Sequence, residues 1–368
     1  MSNLRIIIAG GGTGGHIFPA VAVGHALQRL LPGTQLLFVG AKGKMEMEKV
    51  PLEGFEIVGL DIAGFDRSNI LKNFMLPYKL LKSRIAARSI LKKFTPDVVI
   101  GVGGYASFPM LSAAQAMNIP TLIQEQNSFA GKTNKILGRK AKAVCVAYEQ
   151  MERFFPKDKL ILTGNPVRKE ITEMNADMDT AKKMFGLKTG VKTILVIGGS
   201  LGAKAINESI DANLDELMKE NVQLIWQTGN PYYQQAGKRA EAYPGRVTVL
   251  NFIREMAYAY TVADVVVSRA GALAIAELCI AGKPAIFVPL PTAAEDHQTS
   301  NAMALVKQNA AIMVKNEAAL AELIPTIKEL LSDNGKQAIM SQNLKSMAIK
   351  DADERIAHKV IAIANTAR

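Results

Sequence analysis

The sequence predicts an α/β chain built from two doubly wound parallel-sheet domains. Three observations carry that prediction. Short apolar, β-rich runs alternate with helical patterns; the alternation breaks and restarts near residue 193; and each half opens on a buried run that ends in glycines. In the first half the runs are 4–9, 35–39, 98–102, 121–124 and 143–146. In the second they are 193–197, 223–227, 247–250, 264–268 and 285–288. At 368 residues the chain is long enough for two hydrophobic cores.

The turn residues Gly164-Asn165-Pro166-Val167-Arg168, followed by a polar stretch, place the boundary so that the expected domains are 1–168 and 169–350. Ile356, Val360, Ile361 and Ala364 recur at helical spacing. A final amphipathic helix within 351–368 is expected, joined to the first domain.

Charge divides unevenly. Residues 1–168 hold 22 Lys/Arg against 11 Asp/Glu, and the remainder holds 22 of each, so the whole excess of +11 lies in the first half. Such asymmetry points to an anionic partner there, a membrane surface or nucleic acid. Between Arg67 and Pro96 eight basic residues occur with no acid, interleaved with apolar side chains. Ile70, Leu71, Lys72 and Phe74 are the expected membrane contact, since a basic edge with exposed apolar groups suits anionic lipid. Packing on the sheet is the alternative for those apolar groups. Nucleic acid is disfavoured because aromatic interleaving is sparse and no recognition motif occurs. No secretory signal and no window of about 18 uncharged apolar residues is found, so a soluble or peripheral protein is expected. Cys145 and Cys279 both lie in apolar runs and suit a reducing compartment, with no chemical role.

The glycines that close the first run of each half, in IIIAGGGTGGH and ILVIGGSLGA, stand where a strand turns into a helix. Backbone N–H groups and the helix N-terminus there suit a phosphate. Gly10, Gly12 and Gly15 also satisfy the dinucleotide pattern GxGxxG, but the second strand ends Phe38-Val39-Gly40-Ala41-Lys42 without the acid that would hold a ribose. A purely structural turn is the other reading. His16 follows the loop at the head of a helix, where the positive dipole end favours neutral imidazole and hence a base.

The stretches 101–107 (GVGGYAS) and 124–127 (QEQN) supply amides and hydroxyls suited to a sugar. In the second half Glu277 sits on an Ala/Ile/Leu helix surface. There a carboxylate needs donors, either ribose hydroxyls or a neighbouring base. The loop 295–301 (EDHQTSN) has neither a second His/Cys pair nor an Asp-x-Asp triad, so no metal is expected.

Together GGGTGGH, GVGGYAS, EQN, GNPVR, GGSLGA, SRAGALAIAE and DHQTSNA span nearly the whole chain. In that order they resemble the MurG family of undecaprenyldiphospho-muramoylpentapeptide β-N-acetylglucosaminyltransferases. The resemblance implies a GT-B fold of two Rossmann-like domains facing a central cleft. It also implies inverting transfer of N-acetylglucosamine from UDP-GlcNAc to the C4 hydroxyl of the lipid-linked muramyl-pentapeptide, at the cytoplasmic face of the inner membrane. UDP-GlcNAc is then a substrate and no cofactor is required. By the same resemblance Thr13, Gly14, Gly15 and Asn127 would meet the sugar and diphosphate from the first domain, with Arg168 and Ser200 on donor phosphates. The Ile253 backbone would meet uracil, and Ala272, Leu273, Ala274, Ile275, Ala276 and Glu277 would line the donor. Glu277 would take the ribose and Gln298 the N-acetylglucosamine. Gln124 stands where many relatives carry histidine, which leaves His16 as the base candidate and Glu125 as the second. A UDP-GlcNAc epimerase of the same fold and a non-catalytic membrane adaptor stay open as alternatives.

Overall fold

The computed structural model describes residues 3–62, 76–104, 106–199 and 201–367. The chain forms two compact units. One holds the residues up to Val167 together with those from Ile349 onward; the other runs Arg168–Ala348.

The first unit is built on β1 (Arg5–Ala9), α1 (Gly14–Leu30), β2 (Gln35–Ala41), α2 (Glu46–Leu52), β3 (Ile57–Leu60) and α3 (Leu76–Phe94). It continues with β4 (Val98–Gly101), α4 (Ser107–Ala116), β5 (Thr121–Glu125), α5 (Lys132–Gly138), β6 (Ala143–Val146) and β7 (Leu160–Leu162). Its seven strands pair in the order β3-β2-β1-β4-β5-β6-β7, all parallel. The two faces are covered by different helices, as the alternation of strand side chains requires. Ile6 and Ile8 pack with Ile17, Val23 and Leu27 of α1. Ile7 and Ala9 pack with Leu91 of α3, Met110 and Leu111 of α4 and Leu137 of α5.

The second unit contains α6 (Lys169–Glu173), α7 (Met178–Phe185), β8 (Lys192–Ile197), α8 (Lys204–Ala212), α9 (Leu214–Leu217), β9 (Val222–Gln227) and α10 (Tyr233–Ala240). Then come β10 (Val247–Leu250), α11 (Met256–Val262), β11 (Val265–Ser268), α12 (Ala272–Ala281) and β12 (Ala285–Phe287). It ends with α13 (His297–Val306), β13 (Ile312–Met313), α14 (Ala319–Ser332) and α15 (Asn334–Ser346). Six parallel strands pair as β10-β9-β8-β11-β12-β13. Ile194, Val196, Leu224, Trp226 and Val267 meet Ile206 and Ile210 of α8 and Leu323 and Ile327 of α14.

In each sheet the strand order reverses beside the first strand of that unit, β1 and β8. Loops at the carboxyl ends of these strands diverge to opposite faces, which leaves a crevice for ligand. Both glycine loops stand there. The last helix, α16 (Ala352–Ala367), buries Ile356, Val360 and Ala364 in the core of the first unit against α1. Arg29 of α1 donates to Asp353 at 2.8 Å.

Candidate active site

In the first unit most of the glycine loop's own N–H groups are already used. Gly10 N donates to Val39 O at 3.0 Å and Gly11 N to Gly103 O at 3.2 Å. Gly12 N donates to Glu46 Oε2 at 2.8 Å, and the other oxygen of that carboxylate accepts from Ala41 N at 2.9 Å. Glu46 is 1% exposed and braces the loop from below. The anion-binding capacity expected of the whole loop is thereby narrowed to the start of α1. There the first helical N–H groups lack intrahelical acceptors, no side chain caps them, and no acid occupies the first turn.

Thr13 holds the N-cap position, but its hydroxyl lies 3.1 Å from His16 Nδ1. The half-buried His16 ring has the 101–107 loop as its neighbour: a Cβ on Gly103 would fall 2.7 Å from His16 Nε2. Gly103 and Gly104 both have positive φ, and a Cβ on Gly104 would strike Gly11 O at 2.1 Å. Glycine is required at this crossing of two backbones. Ser107 Oγ accepts from Gly103 N and donates to Ala9 O, which locks the second loop to the first strand.

Glu125 ends β5 at 2% exposure. One oxygen accepts from the backbone and side-chain nitrogens of Asn127 (3.1 and 3.3 Å), the other from Gly131 N (3.1 Å) and Asn134 Nδ2 (2.8 Å). Burial raises its pKa, and those four donors pull in the opposite direction. Gln124 is fully buried and donates to Asn165 Oδ1 at 3.1 Å. Gln126 donates to Val102 O at 2.7 Å and also meets Gln124 Oε1.

In the second unit the loop after β8 is held by Gln227, whose Oε1 accepts from Gly198 N and whose Nε2 donates to Gly199 O. The following helix α8 starts at Ala203 with no side-chain cap and no acid in its first turn, and so does α12 at Gly271. Both present the positive end of a helix dipole. Glu277 lies on α12 with its side chain 13% exposed. It accepts from the Tyr260 hydroxyl at 2.9 Å and pairs with Arg168 Nη2 at 3.6 Å. Burial is the largest influence on its pKa and raises it; Arg168 and Tyr260 oppose that rise. Arg269 donates to Val288 O, Pro289 O and Asn316 Oδ1, which ties the loop after β11 to the loop after β12. Gln298, the second residue of α13, accepts from Leu290 N at 2.9 Å. Before it, Glu295 and Asp296 both adopt left-handed backbone, a strained arrangement for two successive non-glycine residues.

Two family descriptions match the chain: the N-terminal domain of glycosyltransferase family 28 over residues 6–146 and its C-terminal domain over 193–356. A relative from Parabacteroides distasonis, 48% identical over 99% of both chains, is named UDP-N-acetylglucosamine–N-acetylmuramyl-(pentapeptide) pyrophosphoryl-undecaprenol N-acetylglucosamine transferase. A relative of the same name from Cytophaga hutchinsonii is 52% identical over 99% of this chain and 98% of its own. The crystal structure of Acinetobacter baumannii MurG superposes with a TM-score of 0.80 at 32% identity, covering 98% of this chain and 99% of the other. The chain belongs to glycosyltransferase family 28. Its two parallel-sheet units are the GT-B fold expected from the sequence.

Within that family frame, the expected site residues fall in two groups. Thr13, Gly14, Gly15, His16 and Asn127 belong to the first unit, on the loops after β1 and β5 and the first turn of α1. Arg168, Ile253, Ala272 to Glu277 and Gln298 belong to the second. Ile253 and Ile275 are buried, at 4% and 3% exposure. Ser200, Ile70, Leu71, Lys72 and Phe74 lie outside the described residues. Sequence reasoning passed over Glu46 and Tyr260. Glu46 was one polar residue in a charged stretch, and Tyr260 carried no local signal; both meet their partners only through space. It also passed over Leu81 and Ile85 of α3, each 61% exposed on a helix whose exposed face includes Lys82, Arg84 and Arg88.

Proposed function

We propose that the chain transfers N-acetylglucosamine from UDP-GlcNAc to the C4 hydroxyl of undecaprenyl-diphosphate-linked muramyl-pentapeptide with inversion at the anomeric carbon. Near-full-length identity of about half to relatives of that named activity carries this reading. We assign the roles as follows. His16 accepts the C4 proton as the acceptor oxygen attacks and UDP leaves, a contribution of roughly 10² to 10⁴ in rate. Thr13, Gly14, Gly15 and Asn127 meet the transferred sugar and the diphosphate from the first unit. Glu125, holding four donors, positions Asn127 and is not the base.

In the second unit the leaving diphosphate meets the N-terminus of α8, Ser200 and Arg168, which serve charge that develops in the transition state. Glu277 accepts from the ribose, the Ile253 backbone meets uracil, residues 272–276 line the donor and Gln298 reads the N-acetylglucosamine. No cofactor takes part in this scheme. Among the described residues no helix is long and apolar enough to cross a membrane. We assign the chain to the cytoplasmic face of the inner membrane as a peripheral protein, held through the basic, apolar edge that includes α3.

The test mixes purified protein with UDP-GlcNAc and a short-chain lipid-linked acceptor. UDP release that depends on acceptor is expected. Epimerisation of UDP-GlcNAc without acceptor and without net release of UDP would replace this reading with the epimerase alternative.

A further inference from the structure

Tyr260 is 1% exposed, on α11, and its hydroxyl reaches across to Glu277 Oε2 at 2.9 Å. The phenol gives the carboxylate, and the carboxylate gives the phenol, the hydrogen bond that burial requires. Burial and the neighbouring carboxylate push the Tyr260 pKa well above its ordinary value, so the phenol stays a donor over the whole working range. With Oε2 fixed, the remaining partner of the carboxylate is Arg168, 3.6 Å from Oε1. That distance lies within an ion pair but beyond a good hydrogen bond. Oε1 is therefore the oxygen a ligand hydroxyl can take without breaking a short contact.

We propose that Tyr260 is a positioning residue for the donor: it holds the Glu277 carboxylate in the one orientation that lets it accept from the ribose hydroxyls, and so sets preference for ribonucleotide over 2′-deoxyribonucleotide. This rests on the ribose role of Glu277. The charged and titratable groups facing Glu277 are Arg168 and Tyr260 at contact and Glu170 at longer range. Removing the phenol takes away a donor that favours the ionised form. Protonation of Glu277, which removes an acceptor, then begins at higher pH.

The experiment measures dissociation constants of UDP and 2′-deoxy-UDP by calorimetry at pH 6 and pH 8. It uses the parent, Tyr260→Phe, Glu277→Ala and the double variant. The parent is expected to prefer UDP, and Glu277→Ala to erase the preference. Tyr260→Phe is expected to weaken UDP about tenfold at pH 6, less at pH 8, with a reduced preference. In the Glu277→Ala background Tyr260→Phe should change nothing further, because its effect passes through the carboxylate. An unchanged UDP preference in Tyr260→Phe, or an additive loss in the double variant, overturns the positioning role alone. Retention of the preference by Glu277→Ala overturns the ribose assignment itself.

Discussion

The Thr13 hydroxyl stands 3.1 Å from Nδ1 of His16, a contact made by a residue whose position would ordinarily cap the helix. The contact bears on the imidazole tautomer. If Nδ1 carries the proton and donates to Thr13, Nε2 is left to accept one from substrate. His16→Ala is expected to cut kcat by about 10² or more with donor affinity unchanged. Thr13→Val should lower kcat by roughly tenfold and Thr13→Ser should restore it, since one hydrogen bond is at stake. Single-turnover kinetics with saturating donor would read both; a loss confined to acceptor KM in His16→Ala removes its role as base.

Glu46 accepts from Gly12 N and Ala41 N with separate oxygens. Glu46→Gln turns an amide NH₂ toward one of the two backbone donors and leaves that donor without an acceptor. A loss of about 1–3 kcal/mol in unfolding free energy is expected, together with a raised acceptor KM and unaltered UDP binding. Urea denaturation of the variant checks the first part, and a midpoint equal to the parent's would show that the brace is dispensable.

A methyl group at Gly103 would lie 2.6 Å from the His16 ring, on backbone with φ +93°. Gly103→Ala is expected to lose nearly as much turnover as His16→Ala. Gly43→Ala is the control: its φ is +69° but nothing lies within 4 Å, so it should cost only the local strain of about 1 kcal/mol and keep its turnover. Comparable turnover in the two glycine variants would argue that the ring tolerates displacement.

Leu81 and Ile85 lie exposed beside Lys82, Arg84 and Arg88 on α3. Changing both apolar residues to serine should reduce sedimentation with vesicles containing anionic lipid and leave UDP affinity intact. The effect should deepen at high salt, where the basic residues are screened. Equal sedimentation of variant and parent would move the contact away from this helix.

Donor phosphates in the proposed scheme are met by helix N-termini and Arg168. Turnover is therefore expected to survive EDTA. Activity that vanishes with chelator and returns on adding Mg²⁺ or Mn²⁺ would require a different account of the leaving group.

The central strands were legible because a parallel strand covered on both faces is a continuous apolar run, as in Ile6-Ile7-Ile8 and Val265-Val266-Val267. β3, β7 and β13 were not recognised. They are edge strands of four, three and two residues, partly exposed along most of their length, and apolar runs that short, such as Leu160-Ile161-Leu162, do not by themselves mark a strand. The glycine loops were legible as turns, but not the consumption of their N–H groups. Val39 and Glu46 come from the second strand and the helix after it, and Gly103 from a loop far along the chain. Glu277 illustrates the same limit: its helix surface showed that it needed donors, while Tyr260 and Arg168 became identifiable as those donors only once α11, α12 and the N-terminus of α6 were packed together.

The docking of α16 against α1 makes the first unit discontinuous in sequence, closed by residues that follow the whole of the second. During synthesis the ribosome exposes the glycine loop early, yet the helix carrying His16 lacks part of its apolar backing until the final turns emerge. The second unit can fold in the meantime, since domains fold as units during translation. A nascent chain halted before residue 352 would accordingly be able to bind nucleotide before it could perform transfer. Catalytic competence would then follow the emergence of α16, and a chain cut before that helix would be lost from turnover before it is lost from donor binding.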